Sequence, residues 1–369
     1  MVPFVVWGWA ALNGYFGQDD FIITHRAAHA SPWELDYLFQ DYSGHLQPGA
    51  FLLAWLATTL APLNHTVAMV PLLATHAVTL VLCWRVLVRL FQKRWAIVPA
   101  FVVFSCSPLI LFPTLWWAYA MQLLPLLLAM FAALLAHLRY LDSGRVRSAV
   151  TAGVWVLVGL AFYEKAALVP ALLFAVTVLR TGQSIIDALL RHRWVWAGYA
   201  AIVAGYAALY LALTADQGGE QVTSRTILEF AYKSVVHTFL PGLLGGPLTG
   251  SGGGAAWATP PLGVRIAAVV LAAGLVVLSA LRSRRRALLP WLFLAGYLVV
   301  DLTLVAATRL GEFGPVIATD PRYLADAVPV AVLCAMFAFL PAGRTRPDDE
   351  QPRNATRLAA AGLTVVLAA

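Results

Sequence analysis

Long apolar runs separated by short charged stretches set the pattern of this chain. A helix needs about 20 apolar residues to cross ~30 Å of hydrocarbon. Runs over 66–91, 95–113, 116–138, 194–213, 263–281, 287–308 and 323–341 approach or exceed that length. Residues 149–180 form a further apolar stretch, interrupted at its centre by Glu164 and Lys165. Apolar segments at 1–13 and 357–369 stop abruptly. Thirteen helical residues reach only ~20 Å, so both terminal segments are expected to be truncated. The pattern predicts an all-α, polytopic transmembrane helix bundle of about 11 membrane segments, forming one transmembrane domain over 1–369.

The positions of lysine and arginine orient the bundle, because basic residues favour cytoplasmic loop ends. With residues 14–65 outside, 18 of the 25 basic residues fall at inner ends, among them Arg85, Arg89, Arg139, Arg180 and the run Arg284–Arg286. The outside keeps Arg26, Lys165, Arg225, Lys233, Arg265, Arg309 and Arg322. The parity holds only if 149–180 is a hairpin rather than one span. Each arm then has about 15 residues, some 22 Å of helix, which places Glu164 and Lys165 below the outer surface. Charges at that depth face a polar cavity or a partner, although a mutually neutralising pair at a turn is an equal reading.

Composition agrees. The chain is 61% hydrophobic and 12% charged, against about 25% charged in soluble domains. The net charge of +7 does not mark a nucleic-acid binder, because the basic residues sit at segment ends and form no stripe. Cys83, Cys106 and Cys334 lie in apolar runs without paired spacing and read as small buried side chains. Arginine outnumbers lysine 22 to 3, as in a GC-rich bacterial coding bias.

Three outer segments are long enough to build a site. The first, 14–65, carries Asp19, Asp20, Glu34, Asp36 and Asp41, and its parts 20–40 and 46–62 are expected to form juxtamembrane helices. The second, 214–261, holds an amphipathic stretch with Glu229, Lys233 and His237 four apart, followed by a Gly-rich linker at 242–254. The third, 309–322, ends in Asp320-Pro321-Arg322-Tyr323.

Adjacent carboxylates close to lipid are costly unless solvated, metal-bound or used. A solvated pair is the plain reading of Asp19-Asp20. The sharper one is a base beside a lipid-borne substrate, with a divalent ion (Mg or Mn) on the two aspartates as a further option. A sugar leaving from a lipid phosphate needs positive charge on the departing oxygen. Lys165 and Arg322 are the cations best placed for that, with Arg225, Lys233, Arg265 and Arg309 behind them, and His45 could also reach the phosphate. Glu164, Tyr323 and Trp117 are candidate substrate contacts. For Trp116, Trp117 and Tyr119 an interfacial aromatic belt is the plainer reading. His25 and His29 lack the further ligands of a zinc site. Asp301, inside a span, reads as a packing contact or a proton relay.

Together these residues resemble the C-type (GT-C) integral-membrane glycosyltransferases, such as protein O-mannosyltransferases and aminoarabinose transferases. In that pattern a first span leads to an outer acidic pair, here Asp19-Asp20, then a His-and-Pro element, here His45 with Pro48. A second span, a lysine-bearing outer turn (Glu164-Lys165) and a late Arg-Tyr (Arg322-Tyr323) follow. Family members place the proline at or one residue beyond the position after the histidine, whereas Leu46 and Gln47 intervene here. The resemblance implies a polyprenyl-phosphate sugar donor and an inverting transfer with Asp19 or Asp20 as base. The active face would be extracytoplasmic in a bacterial plasma membrane, with a protein, lipid or glycan acceptor. A polysaccharide polymerase or ligase and a polytopic transporter are the alternatives. On this reading Asp19→Asn and Asp20→Asn should each leave folding intact.

Overall fold

The computed structural model describes residues 2–92, 95–214, 222–246, 258–283 and 285–340. The 357–369 segment, the arginines at 344–357, Lys93, Arg94, Arg284 and most of the Gly-rich stretch lie outside the described residues. Among the described residues the chain is helical throughout and has no strand. A single bridge pairs Tyr42 with His45.

The chain opens with α1 (Val2–Leu12), α2 (Asp19–Ala28), α3 (Leu35–Leu38) and α4 (Pro48–Leu60). Then come α5 (His65–Phe91), α6 (Ile97–Ser105), α7 (Pro108–Leu111), α8 (Trp117–Ser143), α9 (Val146–Leu160) and α10 (Val169–Thr181). Beyond these lie α11 (Ile185–Arg191), α12 (Arg193–Leu213), α13 (Ser224–Tyr232), α14 (Leu240–Leu243), α15 (Leu262–Ser283), α16 (Arg285–Val305), α17 (Gly311–Phe313) and α18 (Ala327–Phe339). Local chemistry sets several ends. The Asn64 side chain accepts from Val67 N at the start of α5, and Ser184 does the same for Asp187 N at α11. Gly144 and Gly182, at φ of 69° and 66°, close α8 and α10 in the left-handed conformation that glycine adopts without strain.

Among the described residues six helical stretches are long and apolar enough to cross a membrane, or seven if the pair bent by 111° between Thr181 and Ile185 is one span. That is fewer than the eleven segments expected. Pro48–Leu60, Ile97–Leu111 and Val146–Leu160 are apolar but short. The 95–113 run breaks between α6 and α7, where Pro108 lacks the N–H a continuous helix would use.

Helix α8 is the axis of the bundle: 94% of its apolar window is buried, against 11% in α12 and α15. The latter two keep their apolar side chains outward, as lipid-facing helices do. The 149–180 stretch is the hairpin that the charge count requires. Arg180 at the end of α10 and Arg89 at the end of α5 both grip Asp142 at the end of α8, at 2.5 and 2.6 Å. Tyr199 of α12 donates to Ala149 O near the start of α9. The hairpin tip lies further up α8, where Tyr163 meets Tyr119 edge-on. Trp95 and Trp194, near the arginine cluster in sequence, and Tyr15 and Trp33 in the first loop are among the most exposed aromatics.

The tip depends on a glycine. A Cβ on Gly159 would stand 2.9 Å from Ala166 Cβ and 3.3 Å from Ala129 Cβ. Gly159→Val should therefore push the tip off α8 and cost about 1–3 kcal/mol by overpacking, read as a lowered melting temperature in detergent. An unchanged melting temperature would mean that the tip does not pack this way.

Candidate active site

The acidic pair occupies the first turn of α2, where the helix dipole favours negative charge. The two carboxylates have different jobs. Asp20 is fully buried. Its Oδ2 accepts from Gly17 N at 3.0 Å and its Oδ1 from Ala118 N at 2.8 Å. Ala118 is in the first turn of α8, so Asp20 caps that helix from 98 residues away. The Trp116 indole N–H lies beside it without closing a full hydrogen bond. Burial pushes the Asp20 carboxyl up to about 6 in spite of these donors. Asp19 is half-buried and faces the Tyr42 hydroxyl. Burial first, and the Asp19 charge after it, push that hydroxyl up to about 12, so it remains a donor.

Tyr42 leads into a tight turn. Ser43 and Gly44 both have positive φ, Tyr42 and His45 exchange two backbone hydrogen bonds, and the Asp41 carboxylate accepts from Gly44 N. The pattern matches a two-residue reversal of the primed type. Tyr210 and Tyr206 of α12 donate to Gly44 O and Leu46 O and hold the turn against the bundle. His45 is thereby aimed inward, with Nδ1 2.9 Å from Glu164 Oε1 and Nε2 2.8 Å from an Arg309 nitrogen. Arginine only donates, so Nε2 is the acceptor and Nδ1 carries the proton shared with Glu164. Arg309 also donates to Ser43 O. It is presented by a π-helical turn, Ala306–Leu310, a distortion common at functional sites.

Lys165 is 4% exposed. Its ammonium donates to Tyr323 O at 2.6 Å and Asp326 Oδ1 at 2.8 Å, and lies 2.7 Å from Asp301 Oδ1. Tyr297 donates to the second Asp326 oxygen. Arg322 chelates Asp320 through Nε and Nη2. Its guanidinium lies 4.7 Å from the Trp116 ring centre and 5.7 Å from that of Tyr323, within cation–π range. Tyr119 donates to Arg322 O.

These contacts form one circuit. It runs from Asp19 through Tyr42 to His45, Glu164 and Arg309, then through Lys165 to Tyr323 and Arg322, and back through Trp116 to Asp20. Asp19, Asp20, His45, Glu164, Lys165, Arg309 and Arg322 lie towards one end of the bundle, away from the Arg89–Asp142–Arg180 cluster.

Several expectations change in detail. Lys165 is not open to a phosphate, because its ammonium donates to Tyr323 O and Asp326 and pairs with Asp301. His45 has both nitrogens engaged, so it positions Arg309 and Glu164 rather than meeting an anion. Arg322 keeps Nη1 without a partner among the described residues and is 24% exposed. Arg309, ranked behind it from sequence, is 7% exposed; one of its nitrogens holds Ser43 O and His45, and another lies 3.9 Å from Glu312. Trp116, Trp117 and Tyr119 form no interfacial belt: Trp117 is 1% and Tyr119 5% exposed, inside the protein. Trp117 is accordingly not open as a sugar platform. Asp320 and Asp326, which hold the two cations, have no distinctive spacing in the sequence beyond the Asp-Pro-Arg-Tyr run.

Both Asp20 oxygens accept from backbone N–H groups, and Asp19 faces the Tyr42 hydroxyl. The rings of His25 and His29 lie 4.5 Å apart, tilted by 49°, on the exposed side of α2, and among the described residues no three potential ligands gather.

No family model matches the chain, and neither a curated protein nor a solved structure shows significant similarity to it.

Proposed function

We propose that this chain is a GT-C-type glycosyltransferase of the bacterial plasma membrane. It moves a sugar from a polyprenyl-phosphate donor to a protein, lipid or glycan acceptor on the extracytoplasmic face, with inversion. What supports the reading is a chain of contacts at one end of the bundle, from Asp19 through Tyr42 and His45 to Arg309, and from Asp20 through Trp116 to Arg322. Asp19 accepts the proton of the acceptor hydroxyl while that oxygen bonds to the anomeric carbon. The bond from the anomeric carbon to the phosphate oxygen breaks, and Arg322 and Arg309 stabilise the charge gathering on the departing polyprenyl phosphate. Lys165, His45 and Glu164 hold this surface in shape.

Arg322→Gln and Arg309→Gln test the reading with a radiolabelled polyprenyl-phosphate sugar in vesicles. Each should lower kcat/KM by about 10²–10³-fold, the usual loss for one charge-stabilising donor. Full activity in both variants would remove the phosphate role from this surface. A transporter is the second reading, favoured by the Lys165–Asp301–Asp326 cluster inside the spans. On that reading solute flux survives Asp19→Asn and fails in Asp301→Asn.

A further inference from the structure

The second outer segment carries a cluster of cations that the transfer chemistry does not use. Helix α13 has three sides. Phe230 is buried against the protein, Ile227, Leu228 and Tyr232 are exposed, and Arg225, Glu229 and Lys233 form a charged edge. The chain continues into a second π-helical turn, Lys233–Phe239, which presents His237. From the first turn of α15, Arg265 Nη1 donates to His237 Nε2 at 2.8 Å. Arginine only donates, so the His237 proton is on Nδ1, and no acceptor among the described residues takes it. Burial, then the charges of Arg265 and Lys233, push the imidazole below its ordinary range and keep it neutral. The Arg265 Nε–H is buried and has no partner. A buried donor on a charged group is costly until an acceptor meets it, and an anionic oxygen is the acceptor that suits a guanidinium. Lys233 pairs with Glu229 at 2.6 Å, but both side chains are partly exposed, and such a pair yields readily to a competing anion. With Arg225 the group has three cations against one carboxylate.

The place of Arg265 along α15 indicates the partner. That helix keeps its apolar side chains outward. Val269, one turn below Arg265, is exposed, as are Ile266, Val270 and Val277. Arg282 marks the opposite end, 17 residues on, which is about 26 Å of helix against ~30 Å of hydrocarbon. Arg265 thus stands at headgroup depth, above a wall that acyl chains cover. A soluble phosphate would meet the cations and leave that wall unused, whereas a lipid phosphate engages both. A zwitterionic headgroup would bring its own ammonium against Lys233 and Arg225, so a net-negative one fits.

We infer that Arg265, His237 and Lys233 bind the phosphodiester of an anionic membrane phospholipid, of the phosphatidylglycerol kind, whose chains lie along the outward side of α15. The Arg265 Nε–H and the His237 Nδ1–H donate to its oxygens, and Lys233 supplies charge. The inference does not rest on the transfer chemistry. It does tie the lipid to the scaffold of that site, because Thr238, next to His237, donates to Ala318 O, two residues before the Asp320 that holds Arg322.

The test uses the full chain stripped of lipid in a neutral detergent, with bound lipid counted by native mass spectrometry. Dioleoylphosphatidylglycerol is expected to bind about tenfold more tightly than dioleoylphosphatidylcholine. Arg265→Gln should remove about tenfold of that affinity, the scale of one charge-assisted hydrogen bond. Arg282→Gln, at the other end of α15, should bind as the native protein does. Lys233→Gln alters a half-exposed side chain and should bind about threefold more weakly, which keeps the test open if Arg265→Gln fails to accumulate. Equal binding of the two lipids, full affinity in Arg265→Gln or Lys233→Gln, or an equal loss in Arg282→Gln would mean diffuse attraction and would overturn the inference. Two competition results would also overturn it. Displacement by glycerol 3-phosphate at equal concentration would mark a site for soluble phosphate, and displacement by polyprenyl phosphate at a lower one would assign the cluster to the transfer donor.

Discussion

Asp19→Asn should leave the melting temperature unchanged and lower transfer from a polyprenyl-phosphate sugar by about 10²–10⁴-fold, the range for losing a general base. The half-buried Asp19 carboxylate has the Tyr42 hydroxyl as its neighbour and caps no helix, so the amide fits in its place. Asp20→Asn is the contrasting variant. Both Asp20 oxygens accept backbone N–H groups, and an amide would turn a donor towards one of them. A loss of about 1–3 kcal/mol in stability is expected, so of the two substitutions only Asp19→Asn is expected to spare the fold. Should Asp19→Asn remain fully active in the transfer assay, the base assignment fails.

The largest effect on stability should come from Lys165→Met. The ammonium is the counter-ion of Asp301 and Asp326, both fully buried. Removing it strands two carboxylates at membrane depth, and breaking a buried pair from one side costs about 3–5 kcal/mol. The variant should accumulate poorly and melt well below the native protein. Adding Asp301→Asn and Asp326→Asn should recover most of the loss, because the three side chains act as one unit. A native-like melting temperature for Lys165→Met alone would mean that the triad is not a structural clamp.

Much of the bundle could be read from hydrophobic runs. The spans expected at 66–91, 194–213 and 263–281 end within two residues of α5, α12 and α15, because lipid imposes a length and a composition that few soluble segments match. The hairpin followed from counting basic residues against Glu164-Lys165. The break at Ser107-Pro108 was harder to see, because its flanks are as apolar as a true span. In the site, the positions of Asp19-Asp20, Glu164-Lys165 and Arg322 stood out as charges bordering apolar runs. Their partners did not. The Asp20 link to Ala118 N spans 98 residues and the Lys165 link to Asp326 spans 161, and no local pattern encodes such pairings. Arg309 gained its place through a π-helical turn, which sequence periodicity does not reveal. Trp117 looked like a boundary aromatic because sequence shows closeness to a span end and not which way the side chain turns.

The most direct measurement is a structure of the full chain in a lipid nanodisc with polyprenyl phosphate, the product that transfer leaves behind. The account predicts its phosphate within about 3 Å of Arg322, Arg309 or both, with Asp19 facing the position the sugar has left. A phosphate seated at the Arg89–Asp142–Arg180 end, or a product that does not bind at the Asp19 surface, would contradict it.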